Sequence, residues 1–332
     1  MTAAALSAAA SWALLRGSSR LPAAARAPWE RVNHAGRAVT LLEGPAWVGG
    51  ALLGAAAAAA VARATTGTPA GTPAGATTGA TPDAIAGATA DVTAGLSFAP
   101  AGRRAGLRLL TTARPSRTGP AAATRLLAMG AGALGAVDDL VGGTTDKGLK
   151  GHLGALARGE VTTGAVKIVG LGVCGLLAVA TSDVARARAG HDDATRPAGI
   201  RVLSTLLGGA VVAGAANAVN LFDLRPGRAL KVAIGWGLPL SGTTAGAAAL
   251  GASLGVLRED LQATSMLGDT GANAAGALLG LALTERTGPA GRAVALAALT
   301  ALTLASERVS FTRVIEASPV LRRVDEWGRE AP

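Results

Sequence analysis

The chain has 332 residues, of which 50% are hydrophobic and only 16% charged, with a formal net charge of +10. Soluble domains carry closer to a quarter charged residues, so this deficit excludes an ordinary water-soluble fold and makes lipid the solvent for much of the chain. The basic residues are scattered through short loops with no basic-aromatic platform, aromatic residues are 2% and Tyr is absent, which argues against a nucleic-acid partner.

Ala and Gly fill the apolar positions, as suits close helix–helix approach in a bilayer. The single Cys174 lies in an apolar run and excludes an internal disulfide. No basic segment precedes the first apolar stretch, so a cleaved signal peptide is not expected.

Apolar stretches recur near Ala3–Leu15, Pro45–Ala62, Ala121–Val137, Val161–Thr181, Ala198–Phe222, Ala229–Leu240, Thr243–Leu257, Gly271–Leu283 and Ala293–Ala305. Their length and Ala-rich make-up predict helices rather than buried strands, hence an all-α polytopic transmembrane bundle of about nine spans. Several stretches fall short of the roughly 20 residues that cross a bilayer core. Residues 1–306 form the expected transmembrane catalytic domain, with a low-complexity Thr/Pro/Gly/Ala insert over 65–95 that reads as disordered and extracytoplasmic.

Lys/Arg placement sets the expected orientation. Arg16, Arg20, Arg26, Arg31 and Arg37 put the loop between the first two spans in the cytoplasm. Alternation then brings Asp138–Gly159, Asp223–Arg228, Arg258–Thr270 and the tail after Ser306 to the same side, while Arg103, Arg104, Arg108, Arg114 and Arg117 run against the rule. The tail, 307–332, opens a helix at Ser318-Pro319 and then places Leu321, Val324 and Trp327 on one face against Arg322, Arg323 and Arg329. It reads as an interfacial amphipathic helix on the inner leaflet.

Carboxylates are scarce, so their positions carry information. Asp138 and Asp139 follow LLAMGAGALGAV directly. Paired acids at a helix C-terminus oppose its partial negative charge and each other, and so call for a cation, unless they are simply solvated loop acids. Asp223 closes NAVNLFD, in which Asn217 and Asn220 share a helix face; such amides also bridge membrane helices. Asp269 lies in MLGDTGAN at the start of another apolar helix, where it reads either as an N-cap or as part of a phosphate site built on free backbone N–H groups. All these acids fall on one predicted face, an arrangement that suits Mg²⁺ shared between carboxylates and substrate phosphates.

The ordered set DD, NAVNLFD and GDTG, each beside a predicted span, resembles the polyprenyl-phosphate N-acetylhexosamine-1-phosphate transferases (glycosyltransferase 4), which include the phospho-N-acetylmuramoyl-pentapeptide transferases of peptidoglycan synthesis. The resemblance extends from about Asn33 to Leu283. It implies transfer of a sugar-1-phosphate from a UDP-N-acetylhexosamine to polyprenyl phosphate with release of UMP, at the cytoplasmic face of the cell membrane. By position, Asp138, Asp139 and Asp223 take catalytic roles, and Asn220 and Asp269 hold Mg²⁺, with Mn²⁺ as the alternative. Asn217, Lys147, Gly268, Thr270, Gly271 and His152 line the substrate. The implied partners are the lipid phosphate, the UDP-sugar and the membrane, with a homodimer as a further option. Two departures bear on this: Leu224-Arg225 stands where relatives repeat Asp-Gly, and the family's His-rich motif is missing, since His34, His152 and His191 are the only histidines. A catalytically degenerate relative that regulates or scaffolds envelope assembly is therefore the alternative expectation, and a secondary transporter a weaker one.

Overall fold

Helices follow the apolar stretches closely. The computed structural model describes residues 2–33, 36–66, 119–141, 151, 154, 158–159, 162–190 and 196–329. The main helices are α1 (Thr2–Ser18), α2 (Glu43–Thr66), α3 (Gly119–Val141), α4 (Thr163–Arg188), α5 (Ala198–Asn220), α6 (Arg228–Leu240), α7 (Thr244–Leu261), α8 (Gly268–Arg286) and α9 (Pro289–Ser306). Two short helices follow, α10 (Phe311–Ala317) and α11 (Pro319–Glu326). Between α1 and α2, strands β1 (Glu30–Val32) and β2 (Ala38–Thr40) pair antiparallel with Arg31 opposite Val39. Most of the 65–95 insert and the five arginines that ran against the orientation rule lie outside the described residues.

The chain is mostly helical, and among the described residues five helices are long and apolar enough to cross a membrane: α2, α3, α4, α5 and α9. Each of the nine expected spans falls on one helix, yet the number meeting that test is five rather than nine. The physical reason is plainest at α6, whose 13 residues reach only about 20 Å, short of a core of about 30 Å.

The organising element is α8, buried at every position from Thr270 to Ala282. A helix buried on every side has to be enclosed by others, and α8 is packed by α2, α3, α4, α5, α6 and α7. Its composition permits this. A Cβ on Gly276 would lie 2.2 Å from the Ala215 carbonyl oxygen of α5, so only glycine lets the two backbones touch there.

The same device holds α1 on both sides. A Cβ on Gly50 or Gly54 of α2 would fall 1.8 Å from the Ser11 or Ser7 hydroxyl, and one on Gly251 or Gly255 of α7 would fall 2.1 or 2.3 Å from the Ala4 or Ala8 carbonyl oxygen. These are two small-xxx-small faces gripping a single helix. Away from the acidic end of the bundle, Arg292 of α9 is 2% exposed and reaches Asp183 of α4 at 2.7 and 2.9 Å, Ser204 of α5 at 2.9 Å and the Thr284 carbonyl of α8 at 3.0 Å. Removing either ion would strand the other in a poorly hydrated place, at a cost of about 3–5 kcal/mol.

The tail helices dock through charge. Asp325 is buried and takes both Nε and Nη2 of Arg228, at 2.7 and 3.0 Å, with Arg329 at 3.0 Å. Burial alone would raise the Asp325 carboxyl, but the hydrogen bond and charge of Arg228, with Arg329, hold it below the usual carboxylate range. A depressed folded value stabilises above the unfolded value of about 4 and is lost as pH falls through the lowered one.

Two outcomes follow from this packing. Gly255→Leu, which meets backbone rather than a movable side chain, should destabilise the detergent-solubilised protein by about 3 kcal/mol or more, read as a lowered thermal midpoint. Hydrogen-exchange protection of residues 319–326 should persist through neutral pH and fall only below about pH 4.

Candidate functional site

A helix that begins inside a protein brings unsatisfied N–H groups with it. At the start of α8 these groups are met by acids from other helices. Asp139, at the end of α3, accepts from the Asp269 N–H at 3.0 Å, the Thr270 N–H at 2.9 Å and the Thr270 hydroxyl at 2.6 Å. Asp223, in the turn after α5, accepts a backbone hydrogen bond from Gly268. The N-cap position itself is Leu267, which makes no side-chain cap. Asp269 is therefore not the cap of its own helix, contrary to the simplest reading of GDTG. The cap comes from Asp139, 130 residues earlier in the chain.

Glycines make this approach possible. A Cβ on Gly135, one turn before Asp139, would fall 2.2 Å from the Asp269 carbonyl oxygen, so α3 lies directly against the first turn of α8. A Cβ on Gly44 of α2 would fall 2.6 Å from the Leu267 carbonyl oxygen and 2.8 Å from the Gly271 nitrogen. Gly268 has φ +63, and a Cβ there would stand 3.0 Å from the Asp139 carboxylate. Only glycine holds that backbone without strain and leaves Asp139 its room.

Relieved of capping, Asp269 turns to a second partner. Lys167 of α4 places its Nζ 3.0 Å from Asp138 and 2.9 Å from Asp269, and the two carboxyls are in hydrogen-bonding contact with each other. One ammonium thus bridges acids from two other helices. The cation that paired acids at a helix end require is supplied within the protein: Lys167 serves Asp138, and the positive end of α8 serves Asp139. Arg31 of β1 adds a hydrogen bond to the Asp139 carbonyl.

Asp223 stands on the other flank of the α8 start. Burial, then the charges of Asp260, Asp269 and Asp139, push its carboxyl well above the usual range, and the Gly268 hydrogen bond only partly offsets them. Sequence-distant acids are thus gathered at one end of the bundle. Among the described residues, however, no group of three His, Cys, Asp or Glu side chains is arranged to hold a metal ion. The donor set that remains is the Asp138–Asp269 pair. Mg²⁺ is commonly held by one or two carboxylates completed by water and substrate phosphates, so this pair fits such an ion together with a phosphorylated ligand.

Asn217 donates from Nδ2 to the Thr303 hydroxyl at 3.0 Å, bridging α5 to α9. Asn220 ends α5, and its carbonyl accepts from the Asp223 N–H at 3.1 Å. Gly268, Thr270 and Gly271 form the first turn of α8 as described. Lys147 and His152 lie outside the described residues.

Four residues escaped the sequence reading. Lys167 is the bridging cation. Glu43, 0% exposed, accepts from the Ser265 hydroxyl, and Asp260 takes a backbone hydrogen bond from Gly227. Glu43 Oε1, Asp260 Oδ2 and both amide atoms of Asn273 are buried with no hydrogen-bond partner among the described residues. A signal existed for Lys167: a lone ionisable residue within an apolar segment is expensive and marks function by default. Asn273 and Lys167 line a cavity of about 210 Å³ with Asn217 and Thr303, and Asp138 and Lys167 line a second of about 190 Å³.

No protein-family model, curated protein or solved structure matches this chain.

Asp139→Ala should lower stability by about 1–2 kcal/mol through loss of the α8 cap, with Asp139→Asn losing less because its amide oxygen still accepts. Thermal midpoints of the purified variants read this difference.

Proposed function

We propose that the protein is a membrane-embedded phosphotransferase that moves a sugar-1-phosphate from a UDP-N-acetylhexosamine, of the UDP-GlcNAc or UDP-MurNAc-peptide type, to polyprenyl phosphate. UMP is released, and the lipid-linked product serves cell-envelope polysaccharide or peptidoglycan synthesis. One observation carries the reading: Asp138, Asp139, Asp223 and Asp269, spread over 132 residues of sequence, gather around the start of one buried helix. The order of their motifs resembles that transferase family.

In this reading the site faces the cytoplasm, where the UDP-sugar arrives, and the lipid phosphate reaches it from the bilayer. An oxygen of the lipid phosphate attacks the sugar-proximal phosphorus. A new P–O bond forms, the bond to the UMP oxygen breaks, and UMP leaves with the electron pair. Asp138 and Asp269 would hold Mg²⁺, which would neutralise charge on the transferring group. Asn220 stands near the same end. Lys167 keeps the two carboxylates in register and donates to phosphate oxygen as the ion pair opens. Asp139 holds the α8 start, with Gly268, Thr270 and Gly271, in the shape that receives the substrate. Asp223 orients the nucleotide side.

Mg²⁺-dependent release of UMP from UDP-sugars by membranes carrying the protein is the direct test. Asp138→Asn and Asp269→Asn should each abolish it while leaving the protein inserted and folded, and unchanged turnover in both variants would overturn the proposal.

A second reading, a catalytically degenerate relative that regulates or scaffolds envelope assembly, draws on a specific feature. The α8 N-terminus is already covered by Asp139 and Asp223, and the acid pair already has Lys167. Binding of UDP-sugar without UMP formation by the purified protein selects this reading over the first.

A further inference from the structure

The tail packs in the reverse of the sense expected in water. Successive helical residues turn by about 100°, which puts Val320 and Val324 between about 100 and 140° around the axis from Asp325. Asp325 is the residue that points inward, at 8% exposed, whereas Val320, Val324 and Trp327 are 69%, 57% and 72% exposed. The charged residue is buried and the large apolar ones are outside. An apolar strip left outside by a helix already docked through its ions marks contact with a second apolar phase.

The position of the tail identifies that phase. α9 is long and apolar enough to cross a membrane, and only 11% of its apolar window is buried within the protein, so its flank faces lipid. The first tail helix begins at Phe311, a short turn after α9 ends at Ser306, and the exposed strip continues through Val309 and Val314. It therefore lies at the level where a membrane-crossing helix leaves the bilayer. Trp at that level and an apolar helix face lying in the interface are the usual pattern, and exposed Arg308, Arg313, Arg322 and Arg323 suit anionic headgroups.

The inward side of the tail grips the turn that carries Asp223. Phe311 stacks on Phe222 with ring centroids 5.5 Å apart, and Arg228 donates to the Thr312 hydroxyl at 3.0 Å. Arg228 and Arg329 both hold Asp325, Arg329 also reaches the Pro226 carbonyl at 3.2 Å, and Lys231 donates to the Asp325 carbonyl at 2.5 Å. Apart from the Arg329–Asp325 pair, which lies within the tail, each of these contacts lands on residues 222–231, between the end of α5 and the first turn of α6.

We infer that residues 309–329 form a lipid-bound strap: the apolar face of Val320, Val324 and Trp327 sits at the headgroup–acyl boundary of an anionic leaflet, and the opposite side clamps the Asp223 turn. The inference rests on the membrane reading of the bundle and not on phosphoryl transfer, so a failure to release UMP leaves it standing.

Full-length protein in nanodiscs containing anionic lipid, in a Cys174→Ala background, tests it. Nitroxides at Val320→Cys and Val324→Cys should collide more often with oxygen than with a water-soluble nickel chelate, and one at Glu326→Cys should show the reverse. Equal chelate access at all three positions overturns the lipid contact, as does spin–spin broadening that assigns the face to a second copy. A label pair at Leu224→Cys and Val320→Cys should give one narrow distance distribution, which Asp325→Asn broadens. Val324→Asp with Trp327→Asp, which leaves the ion pairs intact, should broaden it as well. A distribution unchanged in both variants overturns the strap.

Discussion

The structure depends on one requirement: the first N–H groups of a helix that begins inside the bundle need acceptors, and side chains of other segments provide them. α8 begins among other helices, so its donors are met by the Asp139 and Asp223 side chains. That requirement draws the end of α3 and the turn after α5 to one point. Gly135 and Gly44 then admit the helix to backbone contact. Placing Asp139 in this way also places its neighbour Asp138, which the helical rotation of about 100° per residue carries round to Lys167 and Asp269.

Charge balance at this end of the bundle is local. A carboxylate in a membrane protein is tolerable only beside a cation, a dipole or a hydrogen-bond donor. Asp138 and Asp269 share an ammonium, Asp139 has the helix terminus, and Glu43 has the Ser265 hydroxyl. Atoms left over, Glu43 Oε1 and Asp260 Oδ2 among them, are the ones whose polarity the fold itself does not use. The site reading and the degenerate reading turn on binding and turnover rather than on the shape of the fold.

Elsewhere the bundle is held by contacts that need small side chains. α1 is gripped by glycines of α2 and α7, α8 by those facing α5, and the far end is tied by Arg292 to Asp183. Dispersion at close backbone approach replaces the hydrophobic effect, which has no force between helices already in lipid. The same logic places the tail, whose ions turn toward the protein and whose apolar residues turn away from it.

Apolar runs legible in the chain account for each of the nine main helices, and the Ser318-Pro319 pair marks the start of α11, with Ser318 accepting from Leu321. Hydropathy sums over neighbours in sequence, so helix existence and the apolar character of the chain are properties the sequence determines alone. Which helices can cross was less legible, because α6 is too short and α8 is buried against protein neighbours rather than lipid. The three acidic motifs were visible, but the work of each acid was not. Asp269 in GDTG reads as its own helix's cap until Asp139 is found in that place, and Lys167 looks like an isolated charge until two carboxylates close on it. Those assignments depend on helix rotation and on backbone separation at glycine contacts, quantities that exist only between segments far apart in the chain. Tertiary structure alone decided them.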